Sequence, residues 1–191
     1  MQRVFLIGFM GAGKTSIGKE LSAKMNCSFV DLDIFIERRH HKTIRQIFEE
    51  KGEDAFRKIE YKALCEVAEF EDVVISTGGG TPCFYQNMQY MNVQGTTVYL
   101  KVSNSELVRR IKLNLSARPL LKDYTDESLN RFVEETMSKR SVFYEQARII
   151  FQSENQNIEK DAFALIRLIN TKGVLTDEQL KGFSNTNISI S

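Results

Sequence analysis

"VFLIGFMGAGKTSIGKEL" runs from Val4 to Leu21 and divides into three parts. Val4–Ile7 are apolar without interruption, too few for a helix, and read as a strand buried on both faces, as in a parallel sheet. Gly8, Gly11 and Gly13 then strip the chain of side chains, and Lys14 and Thr15 follow at once. This spacing fits G-x-x-x-x-G-K-[ST], a loop whose backbone N–H groups wrap a chain of phosphates. Ile17, Leu21 and Met25 recur at helical spacing, so a helix is expected over 14–25, its N-terminus adding a field favourable to anions. The expected nucleotide-phosphate residues are Gly11, Ala12, Gly13, Lys14, Thr15 and Ser16. Lys14 would reach the β- and γ-phosphates, and Thr15 would offer its hydroxyl to Mg²⁺.

Beyond this loop, strand patterns recur at Ser28–Asp33, Asp72–Gly80, Thr96–Val102 and Arg148–Gln152. Helical patterns lie between them. Thr43 and Gln46 are spaced as a capping box, and Gly52 is placed to end that helix. Phe56, Ile59, Ala63, Leu64 and Val67 mark the next helix, and Ser103 with Glu106 marks another start. Alternating strands and helices predict an α/β fold: a five-stranded parallel sheet with helices on both faces. Ligands in such sheets sit at the carboxyl edge of the strands. Gly8, Asp31, Asp33 and Gly78–Gly80 all fall at expected strand ends, so they should converge in space.

The bulk numbers exclude several classes. With 191 residues the chain suits one well-buried domain, and a net charge of +1 offers no basic footprint for nucleic acid. No apolar run approaches the roughly 20 residues of a membrane span. A strand expected from Arg3 leaves no room for a signal peptide, and Cys27, Cys65 and Cys83 are unpaired in spacing, so a cytoplasmic, monomeric protein is expected. His40 and His41 are adjacent and do not share a helix face, which disfavours a zinc site.

A phosphotransferase also needs metal ligands, an acceptor site and a source of positive charge. Asp31 and Asp33, in "DLD", are expected to diverge from a strand end, one toward metal and phosphates and the other toward an acceptor hydroxyl. "TGGG" at Thr77–Gly80 leaves bare backbone for an anionic or hydroxylated ligand. Arg118, beside Pro119 in "SARPLL", fits a mobile lid that presents an arginine to the transferring phosphate, and equally an exposed loop arginine. Arg57 and Arg140 carry no role from their immediate surroundings.

Taken together, "GFMGAGKT", "DLD", "FRKIE" around Arg57, "STGGG", "VRR" at Val108–Arg110, "RPLL" at Arg118–Leu121 and "YEQA" after Arg140 resemble the shikimate kinases. These belong to the nucleoside-monophosphate-kinase-like group of P-loop proteins. The motifs stand in family order over residues 1 to about 172. The resemblance implies transfer of the γ-phosphoryl group of ATP to the 3-hydroxyl of shikimate, with Mg²⁺. It implies an acceptor-binding segment at about 33–62 and a lid at about 112–124. Lys14, Asp33 and Arg118 would be catalytic, Asp33 as the candidate base. Asp33, Arg57, Gly79, Gly80 and Arg140 would hold shikimate; Thr15 and Asp31 would serve the metal, Asp31 through water. Arg110 would lie against the adenine, with the segment near Glu154–Gln156, and Gln156 in particular, completing that pocket. Ser76 stands where many P-loop enzymes carry an aspartate, which shifts the metal burden to Thr15 and Asp31. Residues 173–191 read as an appendage with one helical turn around Asp177–Leu180. A gluconate-kinase-like enzyme or a nucleoside-monophosphate kinase would share loop and fold, and an inactive nucleotide-binding module would share the loop.

Overall fold

The computed structural model describes residues 2–113, 124–153 and 157–172. Arg118, Gln156, residues 114–123 of the expected lid and the expected turn at Asp177–Leu180 lie outside the described residues. Five strands form one parallel sheet: β1 (Arg3–Ile7), β2 (Ser28–Asp31), β3 (Val73–Ser76), β4 (Thr96–Lys101) and β5 (Ile149–Gln152), in the order β2-β3-β1-β4-β5. β1 and β3 are neighbours, yet the chain leaves β1 toward β2 on one side and leaves β3 toward β4 on the other, and the crevice that opens at their carboxyl ends is where open α/β sheets bind ligands.

The helices are α1 (Lys14–Met25), α2 (Leu32–His40), α3 (Ile44–Val67), α4 (Asn87–Gln94), α5 (Asn104–Leu113), α6 (Asp126–Tyr144) and α7 (Ile158–Lys172), with a short 3₁₀ turn at Thr81–Cys83. Side chains alternate along a strand, and β1 feeds a core on each face. Val4 and Leu6 pack with residues of α1, α5, α6 and α7. Phe5 and Ile7 pack with α2, α3 and α4, and with Tyr144 at the end of α6. A strand with both faces buried must be apolar throughout, which is the pattern of Val4–Ile7.

The expected starts and stops hold in part. Thr43 and Gln46 do form a capping box on α3. Gly52 breaks the helical path with φ 77°, but helix resumes at once, so the two expected helices are halves of one kinked element. "DLD" is not all strand. Asp31 ends β2 and caps α2 through Ile34 N–H, and Asp33 lies in the first turn of α2. The expectation that the two carboxylates diverge along a strand is therefore corrected: strand residues two apart share a face, and it is the helical turn that separates them. α4 and α6 had no sequence expectation; α4 is short and has little apolar periodicity.

Candidate active site

The loop after β1 closes on itself before it meets any ligand. Gly13 caps α1 with φ 96°, a left-handed conformation that a side chain would strain. The Lys14 ammonium donates to the carbonyls of Gly8 at 2.8 Å and Phe9 at 3.0 Å, which holds the charge over the mouth of the loop. The Thr15 hydroxyl donates to Asp31 Oδ2 at 2.8 Å, so loop and β2 are tied together. The turn after β3 is tied in as well. Thr77 donates through both its N–H and its hydroxyl to the Leu6 carbonyl, each at 3.1 Å.

These ties bound a cleft of about 570 Å³ at the carboxyl edge of the sheet. Of the site residues named from the sequence, Gly11, Ala12, Gly13, Lys14, Thr15, Ser16, Asp31, Asp33, Gly79 and Arg110 line it. Ser76 and Thr77 line it too, together with Ser153 and Asp161. Asp33 is half-buried. Burial, then the Asp31 and Glu60 carboxylates, push its carboxyl up to about 6, against the pull of the Lys14 ammonium. Proton affinity near neutrality is what a general base requires.

Arg57, Gly80 and Arg140 do not line the cleft; they flank the turn that does. Arg57 is buried and donates from Nη1 to Glu60 at 2.8 Å and from Nη2 to Glu53 at 3.1 Å. Its guanidinium sits 4.1 Å over the Phe84 ring. A Cβ on Gly80 would fall 2.9 Å from both terminal nitrogens of Arg57, so the arginine approaches this turn only because residue 80 is bare. Arg140 approaches Gly79 less tightly: a Cβ there would lie 3.5 Å from its Nη1, in ordinary contact.

Glu60 is the residue that the sequence reading missed. It is 1 % exposed, and it accepts from Arg57 on one oxygen and from the Thr81 hydroxyl at 2.6 Å on the other. A buried carboxylate persists when its charge and lone pairs are met in this way. The signal was present in "FRKIE", since residues three apart share a helix face. Arg110, also buried, donates to Glu106, to the Ala12 carbonyl at 3.3 Å and to the Ser153 carbonyl at 2.8 Å. It thereby clamps the phosphate loop to the end of β5. Ser153 in turn donates to Asp161 at 2.9 Å. No motif marks that pair in the sequence.

Comparison with known proteins points the same way as this geometry. The family model described as shikimate kinase matches residues 10–170. A shikimate kinase of Parabacteroides distasonis is 56% identical over 161 residues, which cover 84% of this chain and 93% of that protein. The crystal structure of shikimate kinase from Bacteroides thetaiotaomicron superposes with a TM-score of 0.85 at 46% identity, covering 88% of this chain and 98% of that one. That of the Acinetobacter baumannii enzyme in complex with shikimate gives a TM-score of 0.80 at 30% identity, covering 90% and 94%.

Proposed function

The chain belongs to the shikimate kinase family, and from that premise we propose how its own residues divide the work of an ATP-dependent shikimate kinase. The reaction moves the γ-phosphoryl group of ATP to the 3-hydroxyl of shikimate. The observation that carries the assignment of roles is the meeting of Lys14, Asp33 and Gly79 on one cleft, with Arg57 and Arg140 behind the same glycine turn.

In this reading, the Gly11–Gly13 backbone, with Ser16, cradles the triphosphate, and Lys14 neutralises charge on its outer phosphates. Arg110 borders the adenine, in a pocket to which the family resemblance also assigns Gln156. Magnesium would be held by the Thr15 hydroxyl and the Asp31 carboxylate. Both are hard oxygen donors, already 2.8 Å apart on the cleft wall, so the site suits the ion. When bound, it screens the phosphate oxygens from one another.

Shikimate is a small polyol carboxylate. Arg57, Arg140 and the Gly79–Gly80 backbone take its carboxylate and ring hydroxyls, since a guanidinium fork pairs with both carboxylate oxygens. Asp33 accepts from the 3-hydroxyl, aims its oxygen at the γ-phosphorus and takes up the proton as the bond forms. Because phosphoryl transfer is loose, aiming counts for more than early deprotonation. Arg118 would bring further positive charge from a lid at about 112–124. The reaction takes place in the cytoplasm, on a monomer.

The test is ADP release from ATP with shikimate as acceptor. Lys14→Ala should melt within a few degrees of the unaltered enzyme and lose about 10²–10³ in kcat, the usual worth of one electrostatic contact to a transition state. Retained turnover in that variant would remove Lys14 from the transfer.

A further inference from the structure

Tyr144 ends α6, one helical turn beyond Arg140, and is fully buried. Its ring is stacked at a tilt on Tyr99, with centroids 5.1 Å apart. Its phenol does not simply fill the core. It crosses from α6 to the glycine turn and donates to the Gly79 carbonyl at 2.5 Å. The Arg140 guanidinium stands beside the same phenol, close enough to oppose the upward pull of burial on its acidity.

A peptide unit is planar, and in the trans form its carbonyl and the following N–H point in opposite directions. The Gly79–Gly80 peptide is trans, so whatever holds the Gly79 carbonyl also aims the Gly80 N–H. Among the described residues nothing accepts a hydrogen bond from that N–H. Glycines on either side of the bond place little restraint of their own on the plane.

We propose that Tyr144 is a positioning residue for the acceptor: its phenol pulls the Gly79 carbonyl toward α6 and so turns the Gly80 N–H to receive shikimate, in register with Arg140. The proposal rests on the reading in which the Gly79–Gly80 backbone and Arg140 hold the acceptor. Burial keeps the phenol protonated through the working pH range, so the donor is permanent.

Tyr144→Phe removes one oxygen and keeps the ring. The expected result is a rise of about fivefold to tenfold in the KM for shikimate, as for one lost neutral hydrogen bond, with kcat and the KM for ATP unchanged. The Gly80 amide resonance should move in the same variant. Tyr99→Phe, which alters the other phenol of the stacked pair, should change neither reading. A structural role alone would move both KM values together with the melting temperature. Arg140→Ala separates this proposal from the reading beneath it. Loss of shikimate binding in Arg140→Ala alongside an unchanged shikimate KM and Gly80 resonance in Tyr144→Phe overturns the positioning role and leaves the acceptor reading in place. Unaltered shikimate binding in Arg140→Ala overturns both.

Discussion

Asp33 is held at a cost to the fold that follows from its surroundings. An aspartate in an unfolded chain titrates near 3.9, whereas here burial and the neighbouring carboxylates of Asp31, Glu60 and Glu37 raise it to about 6. The folded state therefore binds this proton more tightly than the unfolded state. The stabilising share of the proton is complete below about pH 4 and is lost as pH rises through about 6. Above that, the ionised group opposes folding. Asp33→Asn should thus melt at a higher temperature than the unaltered enzyme at pH 8, by on the order of 1–2 kcal/mol once solvent screening is allowed for, and at nearly the same temperature at pH 4. Melting curves at both values check this. The same substitution should lower turnover by about 10²–10⁴, because an amide cannot accept the proton. In the unaltered enzyme, kcat/KM should fall about tenfold per unit below pH 6.

The turn between β3 and α4 depends on α3 for its shape. Glu60 accepts from both Arg57 and Thr81, and Arg57 lies against Gly80 with no room to spare. None of the three glycines at 78–80 has the positive φ seen in the phosphate loop. What they supply is absence of a side chain, so that charged groups from α2, α3 and α6 can approach one stretch of backbone. Gly80→Ala keeps an allowed backbone and adds one carbon inside the contact distance of Arg57. The guanidinium must give way, and calorimetry should find shikimate binding weakened by at least about tenfold, which is one lost charge-assisted hydrogen bond. ATP binding should be unaffected, since the three atoms nearest the added carbon all belong to Arg57 and none to the phosphate loop.

The two cores are separated by the sheet, and β1, β3 and β4 each feed both of them. The Leu6 side chain is fully buried in one of the cores, and its own carbonyl holds Thr77 in place. Leu6→Ala should cost about 2–5 kcal/mol, read from the shift in urea midpoint, by lost transfer energy and the cavity left behind. Leu6 lies one residue inside the strand end, so the substitution leaves every cleft residue intact. The fraction that remains folded should bind ATP as before.

The sequence contained everything that depends on near neighbours. A strand buried on both faces must be apolar throughout, a phosphate loop must be bare before its lysine, and a capping threonine needs its partner three residues on. These local demands made the sheet, the loop, the Thr43–Gln46 cap and the residues of the cleft wall legible. Asp33 was legible as an acceptor residue, though not as a helical one, because a three-residue motif does not say where a strand ends. Chain contacts distant in sequence left no such mark. Glu60 meets Thr81 across 21 positions, Arg110 meets Ser153 across 43, and Tyr144 meets Gly79 across 65. Those pairings were set by the order in which the strands lie side by side. That order is fixed by the packing of whole faces against one another, to which each residue contributes only a small part.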